Sequence, residues 1–165
     1  MNAHEEKKTR DLTITRILNA PLEKVWKAWT DPAYIRKWWG PKDFTAPAAT
    51  IDLRVGGKYL YCMRGPAGSP FDKDMWSTGT YLEIVPMEKI VATDHFSDEH
   101  GTVISPKDFG MPGEWPEEMT VTVMFEDAGE GKTKLMVVHT GHSIEMADMA
   151  TMGWNQSLDK FEATL

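Results

Sequence analysis

Residues 146–165 read MADMATMGWNQSLDKFEATL, and they carry the clearest structural pattern in the sequence. Apolar or small side chains recur in this stretch every three or four residues, which is the spacing of one face of a helix. That face comprises Met146, Met149, Ala150, Gly153, Trp154, Ser157, Leu158, Phe161 and Leu165. A helix of about five turns with one continuous apolar face must bury that face, so we expect it to pack across a sheet.

The chain before this helix is dominated by strand patterns. After a first strand, Pro21 and then Asp31-Pro32 mark the starts of two short helices, because proline suits a first helical turn and aspartate caps it. Gly40-Pro41 ends the second helix. Alternating or continuous apolar runs predict strands over residues 11–18, 51–55, 58–63, 76–85, 89–96, 119–126 and 133–140.

The order of these elements predicts the fold class. Strands that follow one another without helical crossovers form an antiparallel sheet, and a single long amphipathic helix covers one face of it. The prediction is an α+β fold with a curved antiparallel sheet of about six or seven strands, two short helices and a long C-terminal helix. We expect residues 1–10 to be a mobile tail and residues 11–165 to be a single domain.

Composition narrows the class of protein. The 165 residues carry 18 Lys and Arg against 25 Asp and Glu, a net charge of −7, which argues against nucleic-acid binding. No apolar run is long enough to span a bilayer, and the N-terminus lacks the apolar core of a signal peptide. Cys62 is the single cysteine, so no internal disulfide can form. We therefore expect a cytoplasmic protein without membrane contact.

Several motifs resemble a known family in their residues and their order. They are PLEKVWKAWTDP at 21–32, RKWWGP at 36–41, DLRVGGKY at 52–59, GTYLEI at 79–84, TKL at 133–135, HTG at 139–141, and Gly153-Trp154 before Leu158. Together they resemble the activator of heat-shock-protein-90 ATPase homologue-like family, within the START/Bet v 1-like (SRPBCC) superfamily. The resemblance spans roughly residues 11–165.

The resemblance implies a helix-grip fold with a hydrophobic cavity between the sheet and the C-terminal helix. It favours a non-enzymatic protein that binds a small hydrophobic molecule and needs no cofactor. One alternative is an enzyme of the same fold, similar to a cyclase or hydrolase, that encloses an aromatic substrate. Another is a stress-response module that contacts a chaperone. The chain would act as a monomer or a homodimer.

The sequence contains no catalytic signature. No nucleophile elbow, phosphate-binding glycine loop or dinucleotide fingerprint occurs, and Cys62 lies in mid-strand, where an inert buried thiol is typical. His139 and His142 stand three residues apart, and on a regular strand their rings would face opposite ways, so we expect no metal site. Asp94 and His95 are neighbours on a strand and cannot form one dyad, although His95 alone could face a ligand.

The cavity wall is predicted from apolar side chains with polar tips and from strand alternation. Alternation gives Tyr59, Tyr61 and Met63 one common face. The predicted cavity residues are Trp38, Trp39, Tyr59, Tyr61, Met63, Trp76, Tyr81, His95, Val137, Met149, Gly153, Trp154 and Leu158. The alternative for each single residue is that it fills the core and does not line a cavity.

A long segment over residues 98–118 is predicted to be a lid. Its glycine and proline content predicts no regular structure, whereas Phe109, Met111 and Trp115 are too apolar for a solvated linker. We expect these three side chains to cover the open end of the cavity. The alternatives are a static loop packed on the sheet and a dimer contact.

Overall fold

The computed structural model describes residues 8–116 and 118–165. Within these ranges, seven strands and four helices follow one another. In order they are β1 (Thr9–Leu18), α1 (Leu22–Thr30), α2 (Pro32–Trp38), β2 (Thr45–Ile51), β3 (Lys58–Arg64), β4 (Asp74–Val85), β5 (Lys89–Ser97), α3 (Pro106–Phe109), β6 (Met119–Gly129), β7 (Lys132–Ser143) and α4 (Ile144–Thr164).

All seven strands form one antiparallel sheet, in the order β1-β7-β6-β5-β4-β3-β2. Strands β2 to β7 are a meander in which each strand pairs with the next, so short connections suffice. The two edge strands, β1 and β2, are joined through α1 and α2. The predicted α+β fold with a long C-terminal helix is thereby confirmed, with seven strands in the sheet.

The C-terminal half of α4 is anchored against the sheet by its apolar face. Trp154, Leu158 and Phe161 are buried, and the Phe161 ring meets the rings of Trp29 and Trp38 edge to face. On the polar side, Arg16 of β1 contacts the Asp159 carboxylate at 2.8 Å. The first half of α4 is less well covered, and Met149 there is about half exposed.

The second short helix begins as its sequence predicts. The Asp31 side chain accepts a hydrogen bond from the Ala33 backbone N–H at 2.9 Å, and Pro32 occupies the first turn. For the first helix, Pro21 is the residue before the helix and not its first residue. Helix α2 ends at Trp38, two residues before the predicted stop at Gly40.

Three further sequence predictions are wrong. The strand predicted over residues 51–55 lies earlier, at β2, and residues 52–57 form a turn that leaves Val55 exposed. The segment 98–118 contains the short helix α3, which the Ser105 hydroxyl caps at the Asp108 N–H. Thr9 and Arg10 already belong to β1 and not to a tail. The rest of the predicted tail, residues 1–7 with His4, lies outside the described residues.

Candidate functional site

A pocket of about 440 Å³ lies between the sheet and the first half of α4. Its wall is mostly aromatic and methionine side chains from β3, β4, β5, α4 and the segments before β2 and β6. Nine of the predicted cavity residues line it: Trp39, Tyr59, Tyr61, Met63, Trp76, Tyr81, Met149, Gly153 and Trp154. Strand β3 contributes Tyr59 and Tyr61 because alternate residues point to one face of a sheet.

The structure places the other four predicted cavity residues elsewhere. Trp38 is buried in the core between α1 and α4, where its indole N–H donates to the Ala28 carbonyl at 3.0 Å. Val137 and Leu158 belong to the same packed core. His95 points away from Asp94 and contacts the Glu118 carboxylate at 3.2 Å. For these four positions, packing or strand alternation excludes the side chain from the pocket wall.

The three apolar residues of the long connection all reach the pocket wall. Phe109 stacks on Phe96 with ring centroids 4.7 Å apart, and Trp115 meets Phe96 edge to face at 5.6 Å. The Trp115 indole N–H donates to the Pro112 carbonyl at 2.9 Å, within the same segment. The connection therefore packs against β5 and lies beside the pocket.

Four polar side chains form a hydrogen-bonded chain at the pocket wall. The His139 Nε2 atom lies 2.7 Å from the Asp94 Oδ2 atom, and the Tyr59 hydroxyl lies 2.8 Å from the Asp94 Oδ1 atom. On its other side, His139 Nδ1 lies 3.0 Å from the Trp154 indole nitrogen. Strands β3, β5 and β7 and helix α4 each supply one member of this chain.

The positions of the protons follow from donor chemistry. An indole N–H can only donate, so His139 Nδ1 must carry a lone pair that accepts from Trp154. The neutral His139 ring then carries its proton on Nε2, which donates to Asp94. Both nitrogens of His139 are therefore occupied, and the ring is held in one tautomer.

Asp94 is an ionised carboxylate in this arrangement. Its burial opposes ionisation most strongly, but the hydrogen bonds from His139 and Tyr59 outweigh that effect, so the pKa of Asp94 lies below its ordinary value. The same burial, with the Asp94 charge nearby, raises the pKa of Tyr59 well above its ordinary value. Burial also raises the pKa of Tyr81 to about 12. The tyrosines are thus neutral donors at physiological pH.

The prediction that the His139 and His142 rings point apart is wrong. Two steps along β1, from Leu12 to Arg10, correspond to three steps along β7, from His139 to His142. This β-bulge contains Gly141 with a φ of 82°, a conformation that glycine adopts without strain. The extra residue brings the two rings to the same side, with centroids 4.1 Å apart.

His142 is a buried neutral imidazole beside the polar chain. Its residue is only 6% exposed, and its Nδ1 atom has no hydrogen-bond partner among the described residues. Burial is the main cause that lowers the pKa of His142 to about 3. His142 also lines the pocket.

The depressed pKa of His142 predicts a loss of stability in acid. An unfolded histidine titrates near 6.5, so between about pH 6.5 and pH 3 the unfolded chain binds a proton that the folded chain does not. Stability should therefore fall as pH falls through that window, by about 2–3 kcal/mol between pH 7 and pH 4.5. Urea unfolding at both pH values should show a smaller acid loss in His142→Gln. The exposed-site control His100→Gln should retain the full loss, and an equal loss in all three proteins would contradict the assignment.

Sequence reasoning missed Asp94, His139 and His142 as members of one site. A signal for Asp94 was present, because Ile90, Ala92, Asp94 and Phe96 alternate along β5 and all four line the pocket. For the histidines, the decisive feature is the bulge, which a regular strand period does not predict.

Comparison with known proteins identifies the family. Residues 19–165 match the family model described as activator of Hsp90 ATPase homolog 1-like protein. The chain belongs to this family. Family membership and the helix-grip fold agree with the resemblance in the sequence motifs and indicate a ligand-binding type of domain.

Solved structures with the same architecture come from several bacteria. A protein from Chromobacterium violaceum is 27% identical, with a TM-score of 0.73, and the match covers 94% of this chain and 97% of that one. A protein from Arthrobacter aurescens is 26% identical, with a TM-score of 0.73 and coverage of 93% and 84%. A member of the same family from Silicibacter pomeroyi is 22% identical, with a TM-score of 0.71 and coverage of 94% and 96%. No curated protein matches the sequence.

The described ranges contain neither a metal-type side-chain cluster nor a helix that could span a membrane. No group of three or more His, Cys, Asp or Glu side chains there is arranged to hold a metal ion. Over the same residues, no helix is both long and apolar enough to cross a membrane. Cys62 is fully buried, and burial raises the pKa of its thiol to about 11, which disfavours the reactive thiolate.

Proposed function

We propose that this protein binds a small, largely aromatic or hydrophobic molecule in the pocket between the sheet and α4. The observation that carries the proposal is a pocket of about 440 Å³ whose apolar wall contains one polar cluster. This size and composition are typical of small-molecule sites, in which a few polar groups orient a mainly apolar ligand.

The pocket wall offers flat aromatic surfaces. Tyr59 and Tyr61 stack with ring centroids 4.5 Å apart, and Trp39 lies 4.8 Å from Tyr61. Trp39 and Trp154 meet edge to face at 5.7 Å. Rings arranged in this way provide stacking and edge contacts for an aromatic ligand.

Exposed apolar residues mark where a ligand would enter. Phe71, Met149 and Met152 line the pocket and are each about half exposed. Large apolar side chains that remain exposed beside a pocket are typical of binding surfaces. The two methionines, which are flexible and polarizable, can adapt to ligands of different shape.

The geometry supports binding better than acid–base catalysis. A general base needs a nitrogen that can take a proton from the substrate. In His139, Nε2 is engaged by Asp94 and Nδ1 by Trp154, so neither nitrogen is available in this arrangement. The Nδ1 atom of His142 has no partner among the described residues, but the lowered pKa of about 3 makes this imidazole a poor base near neutral pH. The Asp94–His139 pair then serves to orient its neighbours in the pocket wall.

A titration with the fluorescent probe N-phenylnaphthylamine tests the proposal. The probe is neutral and aromatic, and its emission rises on transfer from water to an apolar site. We expect saturable binding of one probe per chain to the native protein and loss of that signal on unfolding in urea. Absence of saturable binding by this probe and by a panel of neutral bicyclic aromatics in native mass spectrometry would overturn the proposal.

Gly153 provides a variant that should separate binding from folding. A Cβ atom at this position would meet only Pro41, whose Cγ atom lies 3.5 Å away, so the helix has no packing need for glycine there. Gly153→Ala should stabilise the protein by about 0.5–1 kcal/mol, since alanine favours helix. Gly153→Leu should weaken probe binding by about tenfold or more, because its side chain occupies pocket volume.

The matched control for Gly153→Leu is Ala163→Leu, which adds the same side chain to an exposed position of α4 outside the pocket wall. This control should bind the probe as tightly as the unmodified protein does. If both leucine variants bind equally well, Gly153 does not border the bound probe.

We further propose that residues 106–116 act as a lid on the bound molecule. Phe109, Met111 and Trp115 line the pocket, and ordering them over a ligand would slow local opening. Amide hydrogen exchange across 106–116 should therefore slow when N-phenylnaphthylamine is bound. Trp115 fluorescence is a less suitable probe, because it would require replacing the other tryptophans, and Trp29, Trp38 and Trp154 are packed in the core. Unchanged exchange at saturation would support a static loop.

A further inference from the structure

Among the described residues, the pocket wall carries one ionised side chain and no cation. Among the described residues that line it, Asp94 is the sole carboxylate, and neither lysine nor arginine is present. The nearby Lys160 is not part of the wall, because its ammonium group contacts the backbone carbonyls of Pro41 and Phe44 at 3.1 and 3.2 Å. The charge of Asp94 is thus balanced by neutral hydrogen-bond donors alone.

Asp94 retains the capacity to accept a further hydrogen bond. Each of its oxygens takes one bond within the protein, from His139 and from Tyr59. An ionised carboxylate has about four acceptor positions, 15% of the Asp94 side chain remains accessible, and Asp94 lines the pocket. A hydrogen-bond donor of a ligand could therefore bind at one of the remaining acceptor positions.

His142 adds a second polar group to the pocket wall, and this one is uncharged. Its ring is packed against the neutral His139, and no carboxylate of the described residues forms a hydrogen bond with it. A buried imidazole in that setting stays neutral, so it cannot act as a cationic anchor for an anion. Among the described residues, the polar end of the pocket therefore carries the negative charge of Asp94 and no positive charge.

We infer that the ligand presents a hydrogen-bond donor on a neutral or cationic group, such as an alcohol, phenol, amide or ammonium, to Asp94 and that the pocket rejects carboxylates and other anions. This inference rests on the proposed function and adds the chemical class of the ligand. For an anion about 6 Å from Asp94, at an effective dielectric constant of about 20, the electrostatic repulsion would lower the affinity by about a hundredfold.

The test is competition against N-phenylnaphthylamine by four naphthalenes of nearly equal size. They carry a methyl, a hydroxymethyl, an aminomethyl or a carboxylate substituent, so that at neutral pH they are apolar, neutral donor, cationic donor and anionic. We expect naphthylmethanol and naphthylmethylamine to compete best and naphthoate to be at least about tenfold weaker than naphthylmethanol. Naphthoate competing as well as naphthylmethanol would overturn the inference.

The variant Asp94→Asn checks that Asp94 causes the discrimination. Its amide oxygen can still accept from Tyr59, while the charge is removed. If the variant folds, as judged by circular dichroism and urea unfolding, the affinity for naphthoate relative to that for naphthylmethanol should rise by about tenfold. An unchanged ratio would overturn the role of Asp94.

The outcomes separate this inference from the proposed function. If the variant does not fold, competition in the unmodified protein still decides the charge class. Binding of N-phenylnaphthylamine with no preference between naphthoate and naphthylmethanol defeats the inference alone. Absence of binding by that probe and by the panel of neutral aromatics defeats the proposed function as well.

Discussion

Replacing Trp154 with alanine should destabilise the protein by about 3 kcal/mol, at the lower end of the range for removing a buried aromatic ring. Trp154 is 8% exposed and lies parallel to Trp29, with ring centroids 6.2 Å apart. The loss should not reach the upper end, because one side of the indole borders the pocket, which can merge with the space left behind. Urea unfolding followed by circular dichroism would measure the change.

The variant Trp154→Phe separates packing from hydrogen bonding. Phenylalanine keeps an aromatic ring at the position but removes the N–H that donates to His139 Nδ1. We expect a loss of about 1–2 kcal/mol, from the unpaired His139 acceptor and the smaller ring. If Trp154→Ala costs less than about 1 kcal/mol, α4 is not held against the sheet as described.

The variant Gly79→Ala should cost about 3 kcal/mol or more, or prevent folding. A Cβ atom on Gly79 would overlap the Thr93 backbone carbonyl and would come within 2.6 Å of the Tyr59 ring. The overlap is with backbone on one side and with the ring of Tyr59 on the other. Gly79 is therefore the place where Tyr59 lies flat across β4 to reach Asp94.

This variant should also disturb the pocket. Moving the Tyr59 ring breaks its hydrogen bond to Asp94, so any folded Gly79→Ala protein should bind N-phenylnaphthylamine more weakly. The control is Gly131→Ala, where a Cβ atom meets open space but φ is 73°. Its free energy of unfolding should fall by only about 1 kcal/mol, because alanine is strained at that positive φ. Equal losses in the two variants would show that the overlap at Gly79 is relieved at little cost.

Local chemistry explains the parts of the fold that the sequence predicts well. The cap at Asp31 and the proline after it need only neighbouring residues. The buried side chains Trp154, Leu158 and Phe161 follow from the helical period alone. Likewise, alternation in β3 places Tyr59 and Tyr61 on one face.

Other features depend on contacts between distant parts of the chain. Trp38 and Trp39 are adjacent in sequence, yet the first is in the core and the second lines the pocket, because α2 ends between them. The strand predicted over residues 51–55 is a second case in which the local pattern did not determine the structure. Its alternation is genuine, but the turn that precedes β3 leaves Leu53 and Val55 exposed.

Sequence patterns alone predicted the α+β class, the order of the elements apart from the short helix α3, the long C-terminal helix and the family, because each depends on short windows or on ordered motifs. Only the tertiary structure decided the site. Asp94 and His139 are 45 positions apart and meet through the pairing of β5, β6 and β7. His142 joins them because one extra residue at Gly141 turns its ring to the same side. A bulge reverses the facing of every residue beyond it, and its position is set by the pairing of strands.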